Sequence, residues 1–569
     1  MEEDFDNGNS APILRKRKRK MKNSTFLWRA KKQLKEGRCG HLDPETYEYF
    51  LRIGERVRYI TREPEDDRRD FCSNVLQEAM GKEWEIASHP MSARILEQVI
   101  PNSNWADGAT VRECLASRLT WDHLGCPAHL LETIVRDAGR RVKENEPEKA
   151  ECVKFLEDRA KLFLNNLEHQ IWESNFNHLT RCCLIVCSET DVEDLHEIVT
   201  QTALYVMSWG QLNDHFNSPL ISGFVQTLLS ATSNCCPLTC DKLQKHLLKK
   251  AFSIKNTSLA EKEDKSVVET ASEIAELFNN EPLTRLMEAA LAASSEKIYL
   301  KLYKKFFKNS IKVLAVKNST HFAIVSLVGS CQDKFIFETI YDQLMDILDD
   351  LFGNGFTNIV KSICEKCIDL STKQGDFIQQ MKIWFGCNKK EDRFVPCLLR
   401  LKKLDHIDLS EDKITIDGSI ILQSIFKFNK PIKVVESFLA LDVSELLAIA
   451  EDPKGSWLFN SFLSSTTVGE KSRSRLVSKF RNYFLKLATT KFGSRVYEEI
   501  WKAAKFKERQ LMIAELDRTL LGSQSGRFLV KKIQLELYLT DKKTWTARHS
   551  NYKDFAPYSK NDEIKQELS

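Results

Sequence analysis

Glycine and proline are scarce in this 569-residue chain, at 21 and 14. Its few Asn-Gly and Asp-Gly pairs lack flanking apolar–polar alternation, which argues against an all-β fold. No apolar run approaches the ~18 residues of a membrane span. The amino-terminal segment has no apolar stretch of the kind a secretory signal carries. Neither sign of charge dominates: 84 basic against 80 acidic residues leave +4. Any case for a polyanionic partner must therefore rest on where the cations cluster. No phosphate loop of the form G-x-x-x-x-G-K-[ST] is found, nor G-x-G-x-x-G at a strand–helix junction. Cysteine is not scarce, but the 16 are unevenly spaced, with neighbours at Cys182–Cys183 and Cys235–Cys236. A reducing compartment and mostly buried thiols are the simplest reading.

What is present is helical patterning. Residues 1–40 are expected to be a disordered tail. The run Arg15-Lys16-Arg17-Lys18-Arg19-Lys20 cannot sit in a core and fits a nuclear or nucleolar import signal, with contact to RNA phosphates compatible with it. From about Leu42, apolar residues recur at three- and four-residue spacing, as in Ile95 and Val99 or Leu131 and Ile134. A helical body over 41–540 is expected, interrupted by a charged insertion at 241–270 and a short polar one at Leu404–Asp417. The stretch 541–569 is expected to be a second tail.

A five-residue unit repeats within that body. It has a small or turn residue, a variable one, two apolar ones, and usually Glu or Gln. It reads Ala93-Arg94-Ile95-Leu96-Glu97, then Ala128-His129-Leu130-Leu131-Glu132. It returns at Ser222-Gly223-Phe224-Val225-Gln226, Thr284-Arg285-Leu286-Met287-Glu288 and His321-Phe322-Ala323-Ile324-Val325. The last four are Ser419-Ile420-Ile421-Leu422-Gln423, Ser456-Trp457-Leu458-Phe459-Asn460, Ser494-Arg495-Val496-Tyr497-Glu498 and Arg527-Phe528-Leu529-Val530-Lys531. Glu97 and Glu132 are 35 residues apart, Gln423 and Asn460 37, Asn460 and Glu498 38. Such a period means stacked supersecondary units. The gap from Glu132 to Gln226 can hide His178-Leu179-Thr180-Arg181-Cys182. The gap from Val325 to Gln423 can hide Asn358-Ile359-Val360-Lys361-Ser362. With these two the count is eleven.

The first and fifth residues of the unit lie four apart on one helix face, the second sits beside them, and the third and fourth point to the core. Three side chains per unit would then line one surface, two gripping a base edge and one stacking on its plane. In the clearest unit, ionised Glu498 accepts only, matching the two donors of a guanine edge. Ser494 can add a hydrogen bond, and planar Arg495 can stack. Thr284, Arg285 and Glu288 repeat this chemistry. Cation clustering agrees. Lys471–Arg509 holds twelve Lys and Arg against three Glu, and Lys297–Lys317 seven Lys and no acid.

These residues carry a resemblance. Leu42-Asp43-Pro44-Glu45-Thr46, Asp417-Gly418-Ser419, Pro453-Lys454-Gly455-Ser456 and Lys491-Phe492-Gly493-Ser494-Arg495-Val496-Tyr497-Glu498 make the chain similar to the nucleolar protein 9 family of Pumilio-like proteins, over about 40–540. The resemblance implies an all-α, Pumilio-type solenoid of about eleven repeats in a curved or U-shaped superhelix. It implies binding of precursor and small-subunit ribosomal RNA in the nucleolus during 18S rRNA and 40S maturation, near a cleavage site whose endonuclease is held back. The family's code gives adenine for Ser222 with Gln226 and Ser419 with Gln423. Implied RNA-binding residues are then Arg94, Glu97, His129, Glu132, Ser222, Gln226, Thr284, Arg285, Glu288, Ser419, Gln423, Ser456, Trp457, Asn460, Ser494, Arg495, Glu498, Arg527, Phe528 and Lys531. Expected partners are single-stranded or structured pre-rRNA and pre-ribosomal proteins, with no DNA, no membrane and no cofactor, for a monomer in the nucleus and nucleolus. Ala93, Ala128, Gly223, Val325 and Ile420 depart from the pattern, so partial sequence preference is expected.

Other chemistry is weaker. Cys364-Glu365-Lys366-Cys367 lacks a second pair for zinc, Cys387 and Cys397 being too far apart to supply it. Asp342, Asp346, Asp349 and Asp350 read as a solvated acidic face rather than a magnesium site. His89 and His123 read as turn or packing residues, and Trp84, Trp121 and Trp501 as core. No catalytic constellation is found, so a non-enzyme is expected. Competing readings are a Pumilio-type mRNA regulator, opposed by the Arg15–Lys20 run, and an armadillo- or HEAT-like protein scaffold, opposed by the recurring Ser/Thr-Arg-x-x-Glu units.

Overall fold

In a computed structural model, residues 26–117, 125–252, 275–409 and 411–550 are described. Among them the regular elements are all helices. Eleven helices carry the units named above. We label them α1 (Pro90–Val99), α2 (Gly125–Glu144), α3 (Ser174–Ser188), α4 (Pro219–Cys235), α5 (Glu281–Ala292), α6 (His321–Ser330), α7 (Thr357–Asp369), α8 (Ile416–Ile425), α9 (Ser456–Ser464), α10 (Gly493–Ala503) and α11 (Gln524–Ile533).

The chain divides into two compact units, one running to Ile298 and the other from Tyr299. In the first, α1 to α5 pack side by side in order, and a second row runs through helices Lys149–Asn165, Glu193–Ser208 and Pro237–Lys250. In the second, α6 to α11 do the same. This is an α-solenoid of the Pumilio type. Its core is built from the third and fourth residues of each unit: Ile95 and Leu96, Phe224 and Val225, Leu286 and Met287, Leu458 and Phe459, and Val496 and Tyr497 are all buried. A repeat that buries its apolar pair only against its neighbours stacks into such an array.

Four boundaries differ from the sequence expectation. Residues 26–35 are helical with Leu27 and Ala30 buried, and the Tyr47 hydroxyl donates to the Ala30 carbonyl at 3.2 Å. The folded body thus begins inside the expected 1–40 tail, while the Arg15–Lys20 run lies outside the described residues. The expected tail from 541 is helical over Lys542–Ser550. There Trp545 is fully buried, its indole N–H donating to the Ile533 carbonyl at 3.0 Å. One anchoring aromatic does the work that a periodic apolar face does elsewhere. The first third of the 241–270 insertion belongs to Pro237–Lys250, where Leu243 and Leu247 are core; 253–274 lie outside the described residues. At the other insertion, Ile416 and Asp417 are already the start of α8.

All sixteen cysteines are unbridged, and none is exposed. Cys387 and Cys397, ten apart in sequence, are both buried. The acidic face is matched by lysines: Asp342 with Lys373 (2.8 Å), Asp346 with Lys312 (3.0 Å) and Asp349 with Lys403 (3.0 Å). His89 is a turn residue, its ring nitrogen accepting the Met91 N–H as the cap of α1. Trp501 is core and Trp84 is half-buried; Trp121 and His123 lie outside the described residues.

Candidate nucleic-acid interface

Helix geometry sets what each unit can present. With 3.6 residues per turn, the two apolar residues face inward and the second residue faces directly away from them. The structure bears this out. Arg94, His129, Arg285, Phe322, Trp457, Arg495 and Phe528 are exposed on α1, α2, α5, α6, α9, α10 and α11. The aromatics are unusual for surface residues: Phe528 is 76% exposed, Trp457 55% and Phe322 42%. Rings left in water at the same position of three repeats, α6, α9 and α11, are a marker of a binding face.

Two units are in a different register from the sequence reading. In α3 the exposed side is Ser174, His178 and Arg181, matching Pro219, Gly223 and Gln226 of α4. The unit is therefore Asn177-His178-Leu179-Thr180-Arg181, and Cys182 is core. In α7 the half-exposed pair is Asn358 and Lys361, so the unit is Thr357-Asn358-Ile359-Val360-Lys361. A one-residue slip in an apolar stretch is invisible when the neighbouring positions, such as Thr180 and Cys182 or Ser362, are all buried.

The first position behaves differently from the expectation. Ser222, Thr284 and Ser419 are buried, not displayed. The Ser222 hydroxyl donates to the Pro282 carbonyl (2.6 Å), and that of Ser419 to the Lys454 carbonyl (2.8 Å). The Asn177 amide likewise donates to the Leu220 carbonyl at 3.2 Å. Each acceptor lies two residues before the next unit's first position, so these side chains staple one repeat helix to the next. Thr284 donates instead to the Asn280 carbonyl at 2.9 Å. Ser456 is also buried, Ser494 is half-buried with its hydroxyl donating to the Lys491 carbonyl (3.2 Å), and only Arg527 is exposed, its Nε bonded to the Leu521 carbonyl at 2.8 Å. In the units with a buried first residue, at most two side chains rather than three reach the surface.

The fifth position is half-buried in most units and held in place. Gln226 and Gln423 each donate an amide N–H to the hydroxyl four residues back, Ser222 (2.9 Å) and Ser419 (3.0 Å). Glu132 accepts from Arg136 and from His178 of the next helix at 2.8 Å. Glu288 lies 3.2 Å from Arg285. Glu498 accepts from Lys532 (2.5 Å) and Lys502 (3.1 Å). Burial disfavours the charge of Glu498, but those lysines outweigh it and hold the carboxyl below its ordinary range. At Glu97 burial wins, and the carboxyl is raised. Lys361 pairs with Asp417 at 2.6 Å, Lys531 is exposed, and Asn460 is half-buried.

The second unit's helices carry a signal the five-residue pattern missed. The N–H groups of Gly418, Gly455, Gly493 and Gly526 donate to Thr415, Asp452, Thr490 and Ser523, each three residues earlier (2.8–3.1 Å). A Cβ at any of these glycines would fall under 3.0 Å from a carbonyl of the preceding helix or turn. Each of these helices thus starts pressed against backbone, and [S/T/D]-x-x-G before the unit marks it. In the Lys471–Arg509 cluster, Arg473, Lys479 and Arg509 are committed to backbone carbonyls, and Arg475, Lys502 and Lys505 to carboxylates. Arg495, on α10 itself, is exposed.

Comparison with known proteins bears on this arrangement. A family profile described as the NOP9-like PUF repeat domain matches residues 192–528. Pumilio homolog 23 of Arabidopsis thaliana is 24% identical across 90% of this chain and 74% of its own length. Nucleolar protein 9 of Pyrenophora teres is 23% identical across 90% and 80%. Nucleolar protein 9 of Mus musculus is 25% identical, but over 47% of this chain and 46% of its own length. Against the mouse relative the alignment thus spans about half of each protein. A solved structure of APUM23 with GGAAUUGACGG is 21% identical, with a TM-score of 0.62 over 89% of this chain and 99% of that one; that likeness is one of fold. With the profile covering more than half of its residues and relatives named for the nucleolus in fungi and mammals, the chain belongs to the NOP9-like PUF repeat family of nucleolar RNA-binding proteins.

Proposed function

We propose that the chain binds single-stranded precursor ribosomal RNA through the exposed second and half-buried fifth residues of its units, and so assists 18S rRNA maturation and assembly of the 40S subunit. The observation that carries this reading is the row of planar or cationic side chains at the second position. Stacking on such a side chain contributes roughly 1–3 kcal/mol per base, so a few units suffice for useful affinity. His178 joins the stacking row of Arg94, His129, Arg285, Phe322, Trp457, Arg495 and Phe528. Glu97, Glu132, Gln226, Glu288, Gln423, Asn460 and Glu498 are the edge-reading candidates, and Lys531 suits a phosphate. Ser222, Thr284 and Ser419 serve to position the helices. Ser494 keeps a possible edge contact in the unit where Glu498 offers two acceptors to a guanine. The name of the plant relative's RNA-containing structure and the nucleolar names of the fungal and mammalian relatives support the same choice of ligand.

The test is crosslinking and sequencing of RNA bound in cells, comparing the natural chain with Arg495→Ala/Glu498→Ala. Enrichment of small-subunit pre-rRNA that falls in the variant is expected. Recovery of no RNA above background would overturn the reading in favour of a protein-binding scaffold.

A further inference from the structure

The row of second-position side chains has a gap at α4. Its unit carries Gly223, which has nothing to stack, between His178 on α3 and Arg285 on α5. The space is not vacant. A Cβ on Gly223 would lie 3.0 Å from one terminal nitrogen of Arg181, 3.4 Å from its central carbon and 3.8 Å from the other nitrogen. Arg181 is the fifth residue of the α3 unit, and its guanidinium therefore lies across the site a second-position side chain of α4 would leave from. It is fixed there: its Nε donates to the Thr227 hydroxyl at 2.8 Å, and that hydroxyl donates to the Gly223 carbonyl at 3.0 Å. The Arg181 side chain pairs with no carboxylate among the described residues, unlike the fifth-position cation Lys361. The group is half-buried. A planar, half-buried cation held by its Nε is a group suited to stacking on a base.

We infer that Arg181 is the stacking residue of the α4 unit, supplied by the preceding repeat in place of the side chain Gly223 lacks. On this view the glycine is a requirement rather than a defect. A larger residue at 223 would expel the guanidinium or demand that it move. The unit's base-edge group stays Gln226, while its stacking group comes from a different repeat. The base at this step would consequently be sensitive to a residue outside the unit that reads it. This inference rests on the RNA-binding reading above.

The experiment uses the full chain and a random-sequence pool of single-stranded RNA. The RNA enriched by the natural chain is made as an oligonucleotide, and each base is replaced in turn by an abasic site. Arg181→Ala should weaken binding of the intact oligonucleotide by roughly tenfold, within the range for one lost stack. At one abasic position the variant should cost almost nothing further, whereas at all other positions the losses should multiply. Arg181→Lys, which keeps charge without the plane, should not recover the loss. The swap Arg181→Ala/Gly223→Arg, which returns the guanidinium to the unit's own second position on a helix that tolerates arginine, should recover most of it.

The inference is overturned if Arg181→Ala binds as the natural chain does. It is also overturned if the loss multiplies at every abasic position and lysine restores it, which would mark a phosphate contact, or if the swap recovers nothing. Should Arg181→Ala fail to fold, Arg181→Lys carried through the same abasic series decides: a loss that does not multiply at one position supports the stack, and binding equal to that of the natural chain overturns it. Enrichment of no RNA by the natural chain would bring down the RNA-binding reading itself, and this inference with it. That result is distinct from a natural chain that binds and an Arg181 variant that binds equally well.

Discussion

The repeat helices of the two units begin in different ways. In the first, α1 and α4 open on Pro90 and Pro219, and α5 has Pro282 at its second residue behind an Asn280 cap. In the second, α8, α9, α10 and α11 all enter through a glycine held by a cap three residues earlier, against a carbonyl of the preceding helix or turn. Proline sets a helix start locally by its fixed φ, with no partner elsewhere in the chain. Glycine sets it by close approach, so the start depends on a second helix. The difference teaches that the same kind of helix start can be fixed by two independent means, and that only one of them is vulnerable to a single methyl group.

The sharpest break of this comparison is a pair of glycine substitutions. Gly493→Ala puts a Cβ against the Leu487 carbonyl, which cannot yield, and against the Thr490 hydroxyl that caps the helix. A destabilisation of about 3 kcal/mol is expected, at the upper end of overpacking costs. Gly223→Ala meets only the far end of the Arg181 side chain. In a helix interior it should be neutral or stabilising by up to about 1 kcal/mol. Urea unfolding of both variants checks the pair. Equal losses would mean that the two glycines do the same job.

A smaller effect separates surface from scaffold. Trp457→Ala and Phe528→Ala remove rings that are more than half exposed. Stability should change by less than about 0.5 kcal/mol, while affinity for the RNA the natural chain enriches should fall by about 1–2 kcal/mol per ring. Calorimetric binding alongside thermal unfolding tells the two apart, and a loss of stability without loss of affinity would remove these rings from the interface.

Much of this was legible in the residues. The apolar pair, the period and the exposed second position follow from helical spacing alone, and most clearly in the second unit, where the Gly-Ser or Gly-Arg entry precedes the pattern. The rest depends on partners far away in sequence. Burial of Ser222 is decided by the Pro282 carbonyl, 60 residues on, and that of Ser419 by Lys454, 35 residues on; no local pattern contains either. The register of α3 was hidden because Leu179, Thr180, Cys182 and Cys183 are all buried, so the apolar run has no edge to read. The helix at Lys542–Ser550 is hard to read because its anchors are Trp545 and the His549 ring stacked on it rather than an apolar periodic face.

Removing a cap costs less again. Thr490→Ala leaves the Gly493 N–H without its acceptor at 3.1 Å, and Asn280→Ala does the same to the Leu283 N–H at 3.0 Å. Each is expected to cost about 1 kcal/mol. The comparison is sharpened by doubling the change. Thr490→Ala with Gly493→Ala should cost less than the two singles together, because the hydroxyl that the new Cβ would strike is gone. Additive losses in urea unfolding would show that the Leu487 carbonyl alone opposes the methyl group.

The smallest expected effect is one of sign, and it sets a fifth-position carboxylate of the first unit against one of the second. Burial raises the Glu97 carboxyl above the ordinary 4.5, with His129 and Arg94 opposing only in part. The folded state therefore holds its proton more tightly than the unfolded chain does. The stabilisation this gives is fully present below the unfolded value, and it is lost as pH rises through the folded one. Glu498 is the reverse. Its burial is outweighed by hydrogen bonds from Lys532 and Lys502, which hold it below 4.5, so its contribution is present above the unfolded value and is lost as pH falls through the folded one. The two windows lie on opposite sides of 4.5. Glu97→Gln should flatten the stability profile on the upper side, and Glu498→Gln on the lower. Unfolding midpoints of both variants across that range check the signs. Matching profiles would mean that the lysines around Glu498 do not govern its charge.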